Sequence, residues 1–294
     1  MQILVSGEGL VDLVPTASGE LSDLTPSLGG GPFNVAVAAA RLGAQVGFQS
    51  RLSTDAFGDA LVKRLEDEGV DTSLVQRGDE LTTLAVASLD EGGSATYSFY
   101  NEGTADRLVE PVANDARVAY FGTLSLAMEP GASRYAEVLH TMAKNGSLIA
   151  VDPNIRPDTD TAEHREFLQA LLDDVTILKV SNAEAEFLGV ESLKKVPVVV
   201  TTHGAHGLSV RAGTTELDVP PVKVDIADTI GAGDAVMAAL LTKIAERNFD
   251  AADLEQLSAY DWHEILEFAA STAALTIART GADAPRRAEV DELL

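Results

Sequence analysis

The chain has 294 residues, 46% of them hydrophobic, and sets 46 acidic side chains against 21 Lys and Arg for a formal net charge of −25. That hydrophobic share fills a full core, while the acidity excludes a nucleic-acid partner, because binding a phosphate backbone needs a basic face. There is no cysteine, which excludes disulfides, thiolate catalysis and Cys-zinc sites.

The length predicts one large domain or two smaller ones. The acidity reads as a solvated surface. It also opposes anionic substrates at long range, so a nucleotide site here must use local donors: backbone N–H groups, Mg²⁺ and a few chosen cations. Met1-Gln2-Ile3-Leu4-Val5 lacks a basic flank and meets Gly7-Glu8 too soon for a signal peptide. No apolar run reaches the ~18 residues of a membrane span, and a cytoplasmic protein with no membrane partner is expected.

Ile3–Ser6 reads as a short buried strand. Residues 11–26 read as extended, turning at Ser18-Gly19-Glu20. A helix is expected over Asn34–Leu42, where Val35, Ala38, Ala39 and Leu42 recur at helical spacing and Gly43 follows as a stop. A strand over 46–50 comes next, then a helix marked by Leu61, Val62 and Leu65 and ended by Gly69. Residues 84–89 and 95–100 alternate about Asp90-Glu91-Gly92-Gly93, a hairpin pattern. The hairpins at approximately 11–27 and 81–104 fall outside the β-α rhythm and are expected to form a small appended sheet.

From Val118 the rhythm resumes. Strands are expected over 118–121, 148–151, 176–180 and 196–201, with helices over 133–144, 162–172 and 183–188 between them. Extended runs follow at 208–211 and 216–219. Val222–Ala227 alternates as a strand would, and leads into a glycine turn that opens the helix Ala235–Arg247; a long helix over 262–279 closes the pattern. Alternating β and α with short links predicts a mostly parallel sheet covered on both faces.

The glycine turn, Asp228-Thr229-Ile230-Gly231-Ala232-Gly233-Asp234, carries the most chemistry. Glycines let backbone N–H groups approach a ligand, and a helix start adds unpaired donors and a positive dipole end, so an anion site is expected there. Asp234 makes no sense as a phosphate ligand. It makes sense as a base that takes a proton from whatever attacks the phosphate.

Other polar clusters fall beyond expected strand ends, where ligands of such sheets bind. Asp152-Pro153-Asn154-Ile155-Arg156 offers an Arg fork for phosphate, set against a plain Asp/Pro turn. Gly29-Gly30-Gly31-Pro32-Phe33-Asn34 has more glycine than a helix cap needs. Asp12, after Gly7-Glu8-Gly9, suits sugar hydroxyls better than a pyrophosphate, and the missing third glycine argues against a dinucleotide fold. Thr202-His203-Gly204-Ala205-His206-Gly207 leaves room for a flat base, and its two histidines are too poorly spaced for zinc. Glu184, in Ser181-Asn182-Ala183-Glu184, either orients Mg²⁺ through water or is a helix-start acid stabilised by the dipole. Neither a Walker loop nor a protein-kinase catalytic triplet is present.

Together these pieces resemble the ribokinase-like, or phosphofructokinase-B, family of carbohydrate kinases. The likeness rests on Gly29 through Ala44 continuing to Asp55-Ala56-Phe57-Gly58, and on Asp228 through Asp234, with 152–156 and 181–184 falling in order. It covers essentially the whole chain and implies a single α/β kinase domain over 1–294, a three-layer α/β/α sandwich with a small β-sheet lid that forms a homodimer contact.

By that resemblance Asp234 deprotonates a primary sugar hydroxyl and the amides of Gly231, Ala232 and Gly233 hold the γ-phosphoryl of ATP. Asp12, Gly30, Gly31, Asn34, Asn101 and Arg156 would hold the sugar. Lys179, Ser181, Thr202, Gly204, Gly207 and Thr229 would serve the nucleotide. Glu184 would meet Mg²⁺ through water, while Asp228 and the Ile230 carbonyl match a monovalent-cation site that commonly takes potassium. Asn101 stands where many relatives that act on acidic sugars or fructose carry Arg, which favours a neutral sugar. The loops at 29–34 and 152–156 are similar to fructokinases, so fructose is the first substrate expected. 2-Keto-3-deoxygluconate, ribose and a nucleoside follow, with a non-catalytic sugar or nucleotide sensor as the reading from another class.

Overall fold

The computed structural model describes residues 1–17, 22–89, 95–157 and 159–294. The turns expected at 18–20 and 90–93 lie outside the described residues. The strands are β1 (Ile3–Ser6), β2 (Leu10–Pro15), β3 (Leu24–Gly29), β4 (Val46–Ser53), β5 (Asp71–Gly78), β6 (Leu84–Leu89) and β7 (Ala95–Tyr100). They continue as β8 (Val118–Gly122), β9 (Leu148–Asp152), β10 (Ile177–Ser181), β11 (Val198–Thr202), β12 (Leu208–Ala212) and β13 (Thr215–Val219). The helices are α1 (Gly31–Arg41), α2 (Ala56–Asp67), α3 (Gly131–Lys144), α4 (Ala162–Leu171), α5 (Asn182–Leu188) and α6 (Val190–Leu193), followed by α7 (Ala232–Arg247), α8 (Ala251–Gln256), α9 (Ala259–Ile277) and α10 (Arg287–Leu293).

One sheet runs β13-β12-β11-β10-β9-β8-β1-β4-β5. It is parallel from β11 to β5, and antiparallel only where β12 and β13 fold back at one edge. Strand periodicity divides its side chains between two apolar layers. Ile3, Val5, Tyr120, Ala150 and Val200 face α1, α2, α7 and α9, while Leu4, Phe121, Ile149, Val151 and Leu178 face α3, α4 and α5. Both faces are therefore covered, which is why β1 and β8 to β10 read as nearly continuous hydrophobic runs.

The second sheet, β3-β2-β6-β7, is the appended lid. β2 pairs antiparallel with β3 and parallel with β6, and β6 pairs antiparallel with β7, so the two expected hairpins meet edge to edge.

The expected strand over Val222–Ala227 is absent. Pro220 and Pro221 remove two amide donors just after edge strand β13, and the following residues are largely exposed and carry no ladder. Two amides anchor the end of this segment, Ala227 N at 2.8 Å and Asp228 N at 3.2 Å from Ile277 O, at the end of α9. β5, α8 and α10 were not legible from the sequence. β5 is a polar edge strand, and the two helices have 6 and 7 residues, too short to show a periodicity.

Candidate active site

Because β1, β8, β9, β10 and β11 are parallel, the residues that follow them emerge along one edge of the sheet. Helices α1 and α7 pack side by side in the same layer, and their N-termini meet there. Asn34, in the first turn of α1, donates from Nδ2 to Asp234 Oδ2 at 2.9 Å. Asp234 is the third residue of α7. Burial pushes its carboxyl up to about 7; the Asn34 bond and the Lys179 charge oppose the rise, and Asp152 and Glu8 add to it.

The start of α7 has the geometry of an anion site. Gly231 caps it at φ 77°, in the left-handed region. The first helical bond is Ala235 N to Gly231 O at 2.8 Å, and Ala232 N makes only a 3.4 Å contact to Thr229 O. The amides of Gly233 and Asp234 precede that first bond and have no acceptor within the helix. A Cβ on Gly231 would lie 2.7 Å from Ala282 Cβ, so the turn is pressed against the residues after α9. Asp228 fastens the same contact, accepting from Ile230 N at 3.1 Å and Gly281 N at 2.9 Å.

A cation sits beneath this turn. Lys179, on β10, is buried and pairs with Asp152, at the end of β9. A Cβ on Gly233 would meet Lys179 Nζ at 3.1 Å, which places the ammonium directly under the glycine. Burial works to lower the Lys179 pKa, but Asp152, Glu184 and Asp234 together hold it above the usual lysine value. The other oxygen of Asp152, Oδ1, is buried without a partner. Charge beneath the amides strengthens an anion site wherever water is excluded.

On the lid side, Asp12 lies on β2 opposite Ser27 and Ala85. Burial raises its pKa to about 6, and the Arg156 guanidinium opposes that rise. Asp12 also raises the Tyr97 phenol on β7, secondarily to burial. Asp12, Arg156 and Tyr97 are thus near enough to sense one another's charge. Gly29 packs closely on Asp12: a Cβ there would lie 2.2 Å from Asp12 Oδ2, so any side chain would push that carboxylate aside. Gly30 and Gly31 follow, Gly30 with φ 104°. Asn101 is turned aside: its Nδ2 lies 3.4 Å from Met128 Sδ, and its carbonyl accepts from Arg107 Nη1 and Thr104 Oγ1, both at 3.0 Å.

The residues expected to serve a nucleotide line the adjoining strand ends. Ser181 and Thr202 are register partners on β10 and β11. His203 is held at both ring nitrogens, by Asn182 Oδ1 at 2.8 Å and Ser209 Oγ at 2.7 Å. Gly204, at φ 55°, has open space around it, whereas a Cβ on Gly207 would strike Val219 O at 2.1 Å. Glu184 is nearly buried and closes a capping box with Ser181, accepting from Ser181 N at 2.7 Å and, through its other oxygen, from Ile155 N at 2.8 Å. It thereby ties the 152–156 loop to α5.

Among the described residues no three His, Cys, Asp or Glu side chains group as a metal site. A Mg²⁺ that keeps its waters and rides on phosphates needs only one or two protein carboxylates. Each Glu184 oxygen retains a second lone pair for such a water, so the residues fit that mode.

In the sequence Glu8 stands out only as part of the Gly7-Glu8-Gly9 turn. In the structure Glu8 is buried and accepts from Thr123 Oγ1 and from Ser125, N and Oγ. A lone acid between two glycines after the first strand was the available signal.

The pfkB family carbohydrate kinase model matches residues 2–289, and the chain belongs to that family of ATP-dependent carbohydrate kinases. A fructokinase of Oryza sativa subsp. japonica, Fructokinase-1, is 32% identical over 99% of this chain and 97% of its own length. A Rhizobium leguminosarum bv. trifolii fructokinase is 31% identical over 84% of this chain and 80% of its own. The fold superposes on Xylella fastidiosa fructokinase with bound ATP at a TM-score of 0.90 and 28% identity, covering 99% of this chain and 97% of that one. It also superposes on Vibrio cholerae O395 fructokinase in its fructose-, ADP- and calcium-bound form at 0.83 and 27%, covering 99% and 98%. No described helix is long and apolar enough to cross a membrane.

Proposed function

We propose that this kinase transfers the γ-phosphoryl of ATP to the 6-hydroxyl of fructose. The observation that carries the reading is Asp234, a carboxyl raised to about 7 at the mouth of α7 and held by Asn34. A base of that strength is matched to neutral pH. Asp234 takes the hydroxyl proton as the sugar oxygen bonds to the γ-phosphorus and the bond from phosphorus to the bridging oxygen breaks, releasing ADP. The amides of Gly231, Ala232 and Gly233, with Lys179 beneath, receive the charge on the transferring group.

Asp12 accepts from sugar hydroxyls, with Gly30, Gly31, Asn34 and Arg156 around the ring. Asn101, in place of a cation, suits a neutral sugar. Ser181, Thr202, Gly204, Gly207 and Thr229 line the nucleotide side. Glu184 would hold Mg²⁺ through water, and the ion would supply neutralisation of part of the phosphate charge. Potassium is the cation proposed for Asp228 and the Ile230 carbonyl. A homodimer through the lid, which exposes Leu24, Leu81 and Tyr100, belongs to the same reading; sedimentation at micromolar concentration tests this.

Substrate identity is tested by ADP release across fructose, ribose, 2-keto-3-deoxygluconate, tagatose phosphate and adenosine. Fructose is expected to give the highest kcat/KM. A higher value for any other acceptor moves the assignment to that sugar class.

A further inference from the structure

Glu8 is a buried acid, 2% exposed, that the proposed chemistry leaves without a task. Its place in the topology is informative. β1 and β8 are adjacent and parallel, with Ser6 opposite Phe121. From β1 the chain goes to β4 on one side of the sheet, and from β8 to β9 on the other. Ligands of open α/β sheets bind at such a divergence. Glu8 and Thr123 are the residues that leave the two strands there.

Glu8 fixes this divide with three donors: Thr123 Oγ1 on one oxygen, and Ser125 N at 3.0 Å with Ser125 Oγ on the other. Thr123 holds φ 59°, a left-handed conformation that a β-branched residue adopts only when its surroundings impose it. The glycine loop rests directly on this pair. A Cβ on Gly31 would lie 2.5 Å from Thr123 Cγ2, and one on Gly30 would lie 2.8 Å from Glu8 O. A Cβ on Gly7 would lie 2.3 Å from Pro32 Cγ and 3.1 Å from Ser125 Oγ. No methyl group fits between the loop and its support: Gly31 lies against the Thr123 side chain and Gly30 against Glu8.

We propose that Glu8, acting through Thr123 and Ser125, is a positioning residue that sets the sugar-facing loop Gly29–Gly31. The role rests on the assignment of that loop to sugar binding made above. Glu8 does not touch the reacting atoms, and its loss displaces the surface on which the sugar lies while leaving the nucleotide side in place.

The test compares fructose KM and ATP KM in Glu8→Ala, Glu8→Gln and Thr123→Ala, with Asp12→Ala as the reference for the sugar site. Glu8→Ala strands three donors and is expected to raise fructose KM about tenfold while ATP KM stays within about twofold. Glu8→Gln keeps an acceptor for Ser125 and is expected to hold fructose KM within about threefold of the parent. Thr123→Ala removes the hydroxyl and the methyl beneath Gly31, and is expected to raise fructose KM at least about threefold. It decides the matter alone if Glu8→Ala does not fold. A cooperatively folded Glu8→Ala or Thr123→Ala with unchanged fructose KM, or with equal rises for both substrates, overturns the proposal. If Asp12→Ala also leaves fructose KM unchanged, it is the sugar-site assignment that has failed.

Discussion

Asn34 and Asp234 are separated by 200 positions in the chain and joined by a 2.9 Å hydrogen bond at the point where α1 and α7 begin. The bond stabilises the charged form of a carboxylate that burial otherwise drives toward neutrality. A base acts only when deprotonated, so kcat is expected to rise with pH through about 7 and level off above it. Asn34→Ala removes the opposing bond and should move that limb to higher pH, by about half a unit to one unit. A pH profile of kcat at saturating sugar checks both expectations.

The same shift has a consequence for stability. With native values of about 7 for Asp234 and about 6 for Asp12, the folded chain holds protons that the unfolded chain releases near pH 4. That contribution is fully present below about pH 4 and is lost as pH rises through 6 to 7. Asp234→Asn removes the penalty of a charged Asp234. Its melting temperature relative to the parent should therefore be more favourable at pH 8 than at pH 5, as thermal melts at the two pH values would show.

The glycines of the α7 turn should separate folding from turnover. Gly231→Ala forces a Cβ to within 2.7 Å of Ala282 Cβ and 3.0 Å of its Cα at φ 77°, and should cost about 1–3 kcal/mol of stability. Gly233→Ala meets only the end of Lys179 at 3.1 Å, within a helix. It should leave the melting temperature nearly unchanged while lowering kcat about 10- to 100-fold by crowding the amides and displacing the ammonium.

Lys179 and Asp152 form a buried pair, so breaking it from one side should be costly. Lys179→Met leaves Asp152 uncompensated and is expected to destabilise by about 3–5 kcal/mol. Adding Asp152→Leu should restore most of that loss, because an apolar replacement of both partners is often neutral, while kcat stays depressed at least about tenfold. Denaturant melts and steady-state kinetics on the single and double variants separate the two effects.

With a net charge of −25, an anionic acceptor meets an unfavourable long-range field, which the Arg156 guanidinium proposed beside the sugar offsets only locally. Fructose should exceed 2-keto-3-deoxygluconate in kcat/KM by at least about tenfold at low salt. Raising the ionic strength should narrow the gap by screening. Asn101→Arg should narrow it further.

Much of this was legible in the chain because the informative residues are local in sequence. The glycines of 29–31 and 231–233 each precede a helical pattern, and that pairing is what marks them as ligand loops. The β1 and β8 to β10 runs were plain because both faces of each strand are buried. What escaped depends on distant pieces meeting. Nothing near Lys179 announces that it lies under Gly233, and Glu8 gains meaning only when β1 is set beside β8. Val222–Ala227 misled because alternation alone cannot reveal that Pro220 and Pro221, two residues without an amide donor, part it from edge strand β13 and leave it without a ladder. Glu184 was open between metal and cap; the structure supplies the capping box and a bond to Ile155 that no short motif contains.

The central claim is that Asp234 accepts the sugar proton, and Asp234→Asn tests it most directly. With fructose and ATP, ADP release should fall by about 10²–10⁴-fold, while equilibrium titration shows fructose binding within a few-fold of the parent. An Asn variant that turns over at the parental rate would contradict the account.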